Sequence, residues 1–247
     1  MPIVIRAREL DYKELNRRIR EVIEHGTDEI LLEHVNGHRY IGDGISEKVR
    51  IQINGTPGND MAAYMNGAEI VVKGNLQDGA ANTMSGGRIV VHGGAGDTLG
   101  YALRGGEIYV RDNVGYRVGI HMKGYEEQQP VIVVGGKAGD FFAEYMAGGL
   151  QIVLGLNLKE GEDLVGDFCA TGMHGGLIYL RGDVPDHKLG KEVRKEALTE
   201  EDKKNLERYV REYARLFKKD SEEILAAEFI KLYPYNKRPY GNLYVAY

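Results

Sequence analysis

The 247-residue sequence has no tryptophan, a single cysteine (Cys169) and only six prolines. One thiol excludes an intramolecular disulfide, a four-cysteine zinc site and a self-contained iron–sulfur cluster. The lack of tryptophan removes the largest aromatic surface for stacking on sugar rings. No run of about 18 apolar residues is long enough to span a bilayer. The start, Met1-Pro2-Ile3-Val4-Ile5-Arg6, lacks the basic opening and apolar stretch of a signal peptide. With 32 basic against 37 acidic side chains, the formal net charge is -5, without the basic excess that a nucleic-acid backbone demands. These absences lead us to expect a cytoplasmic protein whose partners are neither nucleic acid nor membrane.

Glycine is what the sequence has in excess. There are 34, and all but Gly26, Gly37, Gly190 and Gly241 fall between Gly42 and Gly182. Collagen is excluded by the missing three-residue period, and a flexible linker by the β-branched triplets between the glycines. Those triplets recur: Ile51-Gln52-Ile53, Ile70-Val71-Val72, Ile89-Val90-Val91 and Ile108-Tyr109-Val110 start 19 residues apart. Ile132-Val133-Val134, Ile152-Val153-Leu154 and Ile178-Tyr179-Leu180 continue the series at steps of 24, 20 and 26. Insertions at 124–130 and 157–164 account for the longer steps.

Other columns hold the same register. A glycine column reads Gly58, Gln77, Gly96, Gly115, Gly139 and Gly166, followed at the next position by Asn59, Asp78, Asp97, Tyr116, Asp140 and Asp167. Four beyond the glycines lies a small column, Ala62, Ala81, Gly100, Gly119, Ala143 and Ala170. Three further on lies a large apolar one, Met65, Met84, Leu103, Met122, Met146 and Met173. One copy is too short for a helix and cannot bury its apolar column alone, so copies must stack. The expected fold is mainly β, a right-handed parallel β-helix of about seven coils, since parallel crossovers are overwhelmingly right-handed. Triplet and Met/Leu side chains should fill the bore and the Ala/Gly column should mark close contact. Glycines should supply positive φ at corners, and each Asp should cap its own corner.

The flanks suit the capping of solenoid ends. Residues 1–48 read as an α/β cap: a strand over 3–7, an amphipathic helix bearing Tyr12, Leu15, Ile19, Val22 and Ile23 on one face, and a strand over Glu29–Val35. Asp11 and Glu14 have capping-box spacing, and Gly26 suits the helix end. The β-helix occupies 49–183. Residues 184–247 read as a helical tail opening at Thr199-Glu200-Glu201-Asp202, with Leu206, Tyr209, Val210, Tyr213, Leu216 and Phe217 on its apolar face, a shorter helix after Asp220 and a Tyr/Pro-rich end.

Candidates for chemistry are few. A stacked Asp column could ladder metal ions, but turn capping explains one Asp per corner. Of His25, His34, His38, His92, His121, His174 and His187, His34 and His38 have the spacing of metal ligands on one helix face, but their stretch reads as strand and turn. His121 and His174 lie beside the Met column at non-equivalent offsets and read as surface or turn residues. The stretch Gly93-Gly94-Ala95-Gly96-Asp97 has no Lys-Ser/Thr ending and opens no helix, so it is no phosphate loop. Cys169 precedes Ala170 with no partner base. The sequence thus presents no catalytic, cofactor-binding or metal-ligating set.

The pattern Gly-x-x-Gly-x-x-x-Gly, intact in Gly93…Gly96…Gly100, resembles the repeat of the GXGXG family. It recurs with Ala at its last position in Gly55…Gly58…Ala62 and Gly136…Gly139…Ala143. The segments Gly79–Gly87, Gly115–Lys123 and Gly172–Gly176 and the ending Arg238-Pro239-Tyr240-Gly241 resemble stand-alone archaeal-type glutamate synthase domain proteins. The resemblance implies a scaffolding role in glutamate biosynthesis, with glutaminase chemistry, FMN and iron–sulfur centres on other chains. The implied partners are the amidotransferase and FMN-binding synthase chains, with self-association into a homo-oligomer also open. Gly58, Gly96, Gly100, Gly115, Gly119, Gly139 and Gly166 are then structural. Tyr235, Arg238 and Tyr240 are the candidate partner contacts. The GXGXG-type subunit of a formylmethanofuran dehydrogenase and a carbohydrate-active β-helix enzyme are the alternatives.

Overall fold

Strand side chains alternate between faces, so within each triplet only the first and third residues can enter a bore. In the computed structural model, which describes residues 1–125 and 128–235, the repeat strands are β3 (Arg50–Thr56), β4 (Asn66–Val72), β5 (Gly86–Val91), β6 (Glu107–Val110), β7 (Val131–Val134), β8 (Ala147–Val153) and β9 (Gly175–Arg181). Each pairs in parallel with the next. The chain therefore winds a β-solenoid of about six turns, because seven strands bound six complete circuits. Ile51, Ile70, Ile89, Ile108 and Ile132 stack in one inward column, and Ile53, Val72, Val91, Val110, Val134, Val153 and Leu180 in another. All are buried, as is the whole Met/Leu column. The middle residues, including Val71, Val90, Tyr109 and Val133, point outward instead, so the triplets fill the bore only in part.

The register corrects one triplet. Ile132 pairs with Gln151, and Gln151 pairs with Ile178. The repeat therefore steps by 19 and then 27 residues, in place of 20 and 26. Leu154 makes the shifted triplet look right, but it is buried in an outer cluster rather than in the bore. Gln151 is fully buried in the isoleucine column. Its amide nitrogen reaches only Met146 Sδ at 3.5 Å, and its Oε1 has no partner. The absence of a side chain at Gly119 is what leaves room for it: a Cβ there would lie 2.1 Å from Gln151 Nε2.

Opposite the sheet runs a second wall, in which the small residues have different causes from those expected. Members of the Ala/Gly column adopt left-handed backbone: Ala62, Ala81, Ala143 and Ala170 at φ between 59° and 62°, Gly100 and Gly119 at 68°. For alanine this costs roughly 1–2 kcal/mol per residue. Bonds between coils hold it there, Ala62 N–H to Ile41 O, Ala81 to Met61 and Ala143 to Val118, each at 2.8 Å. The glycine column answers to close approach. A Cβ at Gly96, Gly115 or Gly166 would lie 2.1 Å from the Oδ1 of Asp78, Asp97 or Asp140 on the preceding coil, and at Gly58 2.3 Å from Gly37 O. Gly139 instead abuts the Tyr116 ring at 2.5 Å. Those aspartates cap the next coil, not their own corner. Asp78 accepts from Asp97 N–H at 2.8 Å, Asp97 from Tyr116 N–H at 2.8 Å and Asp140 from Asp167 N–H at 2.9 Å.

Both ends extend the same sheet. At one end β1 (Ile3–Arg6) and β2 (Glu29–Asn36) pair in parallel with each other, and β2 pairs with β3. Helix α1 (Tyr12–Glu24) joins them, its first turn capped by Asp11 accepting from Glu14 N–H at 2.8 Å. Its buried Leu15, Ile19 and Ile23 join the bore cluster with Val22 packed against it, whereas Tyr12, read on the same face, stays exposed at the first turn. At the other end the expected helices α2 (Glu200–Phe217) and α3 (Ser221–Leu225) form, but two strands accompany them. β11 (Phe229–Pro234) pairs antiparallel with β9, and β10 (Val193–Ala197) with β11. These two strands add to the helical tail without replacing it, and Arg194, Lys195 and Glu196 mask β10 in the sequence. Charge on an edge strand discourages further pairing.

Replacing Gln151 by methionine keeps the volume and removes an unpaired buried amide, whose desolvation costs about 1–3 kcal/mol. Q151M is expected to raise stability by about 1 kcal/mol, read from the chemical denaturation midpoint.

Candidate interaction surface

The solenoid has two long walls, and the described chain covers only one. The outward column of the sheet, Val71, Val90, Tyr109, Val133, Ile152 and Tyr179, packs against Leu206, Val210, Tyr213 and Phe217 of α2. Tyr213 donates to Arg111 O at 2.9 Å, over Gly135, where a Cβ would meet its hydroxyl at 1.8 Å. Arg88 bonds both Glu107 and Glu212 at 2.7 Å, tying two coils to the helix. At the start of α2, Asp202 closes a capping box with Thr199 and accepts from Tyr179 Oη at 2.8 Å and Lys231 Nζ at 2.8 Å. Burial alone would raise the pKa of Asp202. The Lys231 ammonium, Thr199 and Tyr179 outweigh it and hold the carboxyl well below the usual range.

The turn wall is left open, and it carries aromatic side chains in register. Two positions beyond the glycine column stand Arg117, Phe141 and Phe168. The Arg117 guanidinium lies 4.4 Å from the Phe141 centroid, and Phe141 stacks on Phe168 at 4.9 Å. Six beyond the glycines stand Tyr64, His121 and Tyr145. The His121 ring lies parallel to Tyr145 at 5.4 Å and meets Tyr101 edge-on at 5.8 Å. Tyr64 is 63% exposed, Phe168 56% and Tyr116 51%. Aromatic rings left in water on a rigid wall are the composition of a protein–protein interface core. In the sequence these positions show only as offsets from the glycine column; the inward apolar columns do not reveal them.

The remaining candidates are dispersed. Cys169 is buried, and desolvation pushes its thiol up to about 12, a poor nucleophile. His92 accepts from Lys73 Nζ at 2.9 Å; burial, then Lys73 and Arg111, push it below the ordinary imidazole range. His25 and His174 donate through Nδ1 to the carbonyls of Glu21 and Gly172. Among the described residues no three histidine, cysteine or carboxylate side chains converge to hold a metal. Tyr235 is exposed, with the Arg194 guanidinium 4.1 Å from its ring centroid, whereas Arg238 and Tyr240 lie outside the described residues. No helix among them is long and apolar enough to cross a membrane.

The family model for the GXGXG motif matches residues 26–235. The chain belongs to the GXGXG family. The uncharacterized protein MJ1350 of Methanocaldococcus jannaschii is 44% identical over 251 residues, covering 98% of this chain and 96% of its own length. Among solved structures, a chain of the formyltransferase/hydrolase complex (FhcABCD) of Methylorubrum extorquens, in complex with methylofuran, shares the fold. It superposes with a TM-score of 0.60 at 16% identity, over 92% of this chain and 88% of that one. Coverage of this extent carries the likeness beyond the GXGXG repeat and into the caps.

The ion pair that anchors α2 gives a pH signature with a definite sign. A carboxyl whose folded pKa is depressed contributes stability above its unfolded pKa of about 3.9, which is lost as pH falls through the folded value. Denaturation midpoints at pH 6 and pH 3 should therefore differ more for the native chain than for D202N. At pH 7, breaking this buried pair should cost about 3–5 kcal/mol.

Proposed function

We propose that this chain is a structural β-solenoid subunit of a glutamate synthase, without a catalytic centre of its own. It braces the amidotransferase and FMN-binding synthase chains, and FMN and iron–sulfur centres sit on those partners. The observation that carries the reading is the unequal treatment of the two walls. One is sealed by α2, and the other presents Tyr64, Tyr101, Tyr116, Tyr145 and Phe168 in an array fixed by the coils. A surface ordered to this degree suits a partner of matching shape, because little side-chain freedom is left to lose on binding. Family membership supports the same reading.

A second reading has an observation in its favour. The structural neighbour comes from a formyltransferase/hydrolase complex, which favours a place in a formylmethanofuran dehydrogenase as its GXGXG-type subunit, again a scaffold. Affinity purification of the tagged full chain from its native extract separates the two. Amidotransferase and flavin-binding chains are expected to co-purify. A partner carrying a tungsten or molybdenum pterin selects the second reading. A chain that emerges alone, or that cleaves a glycan when isolated, refutes the scaffold.

The exposed rings supply an independent check. Y64A and Y116A together should leave the thermal midpoint within about 1–2 °C, as these two rings are more than half exposed and stack on no other ring among the described residues. The same pair should reduce the co-purifying partner at least tenfold on a quantitative pull-down.

A further inference from the structure

The described chain holds 17 non-glycine residues at positive φ. Fifteen belong to the alternating turn positions of the solenoid wall, and Lys218 ends α2 in the left-handed conformation. His34, at φ 59°, is the one outside both sets. It sits in β2, where the register against β3 shifts between Glu33 and Val35, so His34 is the extra residue of a bulge. A bulge re-aims a side chain and must be accommodated by the neighbouring strand. Gly55, opposite, makes that accommodation: its φ is +132°, and a Cβ there would lie 2.0 Å from Val35 O. Two positions are thus committed to placing one imidazole. Backbone held in a sparsely populated region is a pointer to function when packing does not call for it, and the exposed His34 packs no core.

The bulge opens onto a cavity of about 720 Å³ whose lining includes Arg8, His34, Asn36, His38, Asn54 and Gly55. Its donors are unspent. Among the described residues neither Arg8 nor His34 makes a side-chain hydrogen bond or ion pair. The Asn54 Oδ1 accepts from Gln52 Nε2 at 3.2 Å, which leaves its amide hydrogens free. The one carboxylate in the lining, Glu33, is already engaged by Arg6 at 3.4 Å. His38 builds the wall. Its Nδ1 accepts from Asn36 N–H at 3.1 Å, so Nε2 carries the proton and donates to Leu10 O at 3.0 Å. That bond pins the segment bearing Arg8 beside β2.

We propose that this cavity binds a small organic anion, a carboxylate or a phosphate ester, through the Arg8 guanidinium and the His34 imidazole, with the Asn36 and Asn54 amides completing the shell. A planar guanidinium offers paired N–H donors to either oxyanion, and the space exceeds what a bare inorganic ion fills. The site lies where the N-terminal cap meets β3 and does not depend on which complex the chain joins.

Calorimetric titration of the full chain at low ionic strength tests this, with succinate in one arm and inorganic phosphate in the other. One saturable site is expected for at least one anion, and the arm that titrates assigns carboxylate or phosphate chemistry. R8A and H34G should each weaken binding tenfold or more. H34G should keep or raise the thermal midpoint, because glycine accepts φ near 59°, so a purely structural role for His34 would leave binding unchanged. Failure of both anions to saturate the native chain overturns the proposal, as does undiminished binding by either variant.

Discussion

Every feature of this molecule depends on backbone hydrogen bonds made from one coil to the next. In the sheet they are ordinary parallel pairs. In the turn wall they link residues of left-handed conformation, such as Ala81 N–H to Met61 O and Gly119 N–H to Leu99 O, both at 2.8 Å. No coil is complete by itself, since its donors and acceptors face a neighbour. The same dependence explains the aspartates. Asp78, Asp97 and Asp140 each cap the backbone of the following coil, and the glycine there leaves space for the carboxylate. The paired Gly and Asp columns form a single device shared between adjacent copies.

A rod with two walls must dispose of two surfaces. The sheet wall is apolar on its outer side and is covered by α2, which is held by Arg88 to Glu212 and by Tyr213 to Arg111 O. Asp202, bonded to Tyr179 and Lys231, fixes its near end against β9 and β11. The turn wall has no such cover among the described residues. Its outward positions are spaced by the coils, so their rings fall into stacked columns, and the exposed edge of this array is the surface on which a scaffolding role rests. Chemistry is sparse by contrast: the lone thiol is buried, and most histidines are spent singly on carbonyls, a lysine or aromatic neighbours.

Much of this is legible in the chain as a string of residues. The triplets, the Met/Leu column and the caps follow from periodicity, and Leu15, Ile19 and Ile23 lie on the face of α1 that is buried. Three things are not. The triplet Ile152-Val153-Leu154 falls one place late, because hydrophobicity cannot distinguish Leu154 in an outer cluster from a residue in the bore. Strand β10 is hidden because an edge strand with charged side chains carries no apolar alternation. Left-handed alanines escape notice because small size suggests close contact first; what holds them is a set of bonds to residues about 20 positions away.

The sequence by itself determined the repeat, the solenoid and the family, because each column meets only its own equivalent in the next coil and so must show itself as a period. The tertiary structure alone decided which wall is sealed, where Gln151 stands unpaired and where His34 is turned out of its strand. Those outcomes depend on contacts between residues far apart in sequence, such as Arg88 with Glu212, and on one extra residue in a ladder. Neither leaves a periodic trace, since each occurs once.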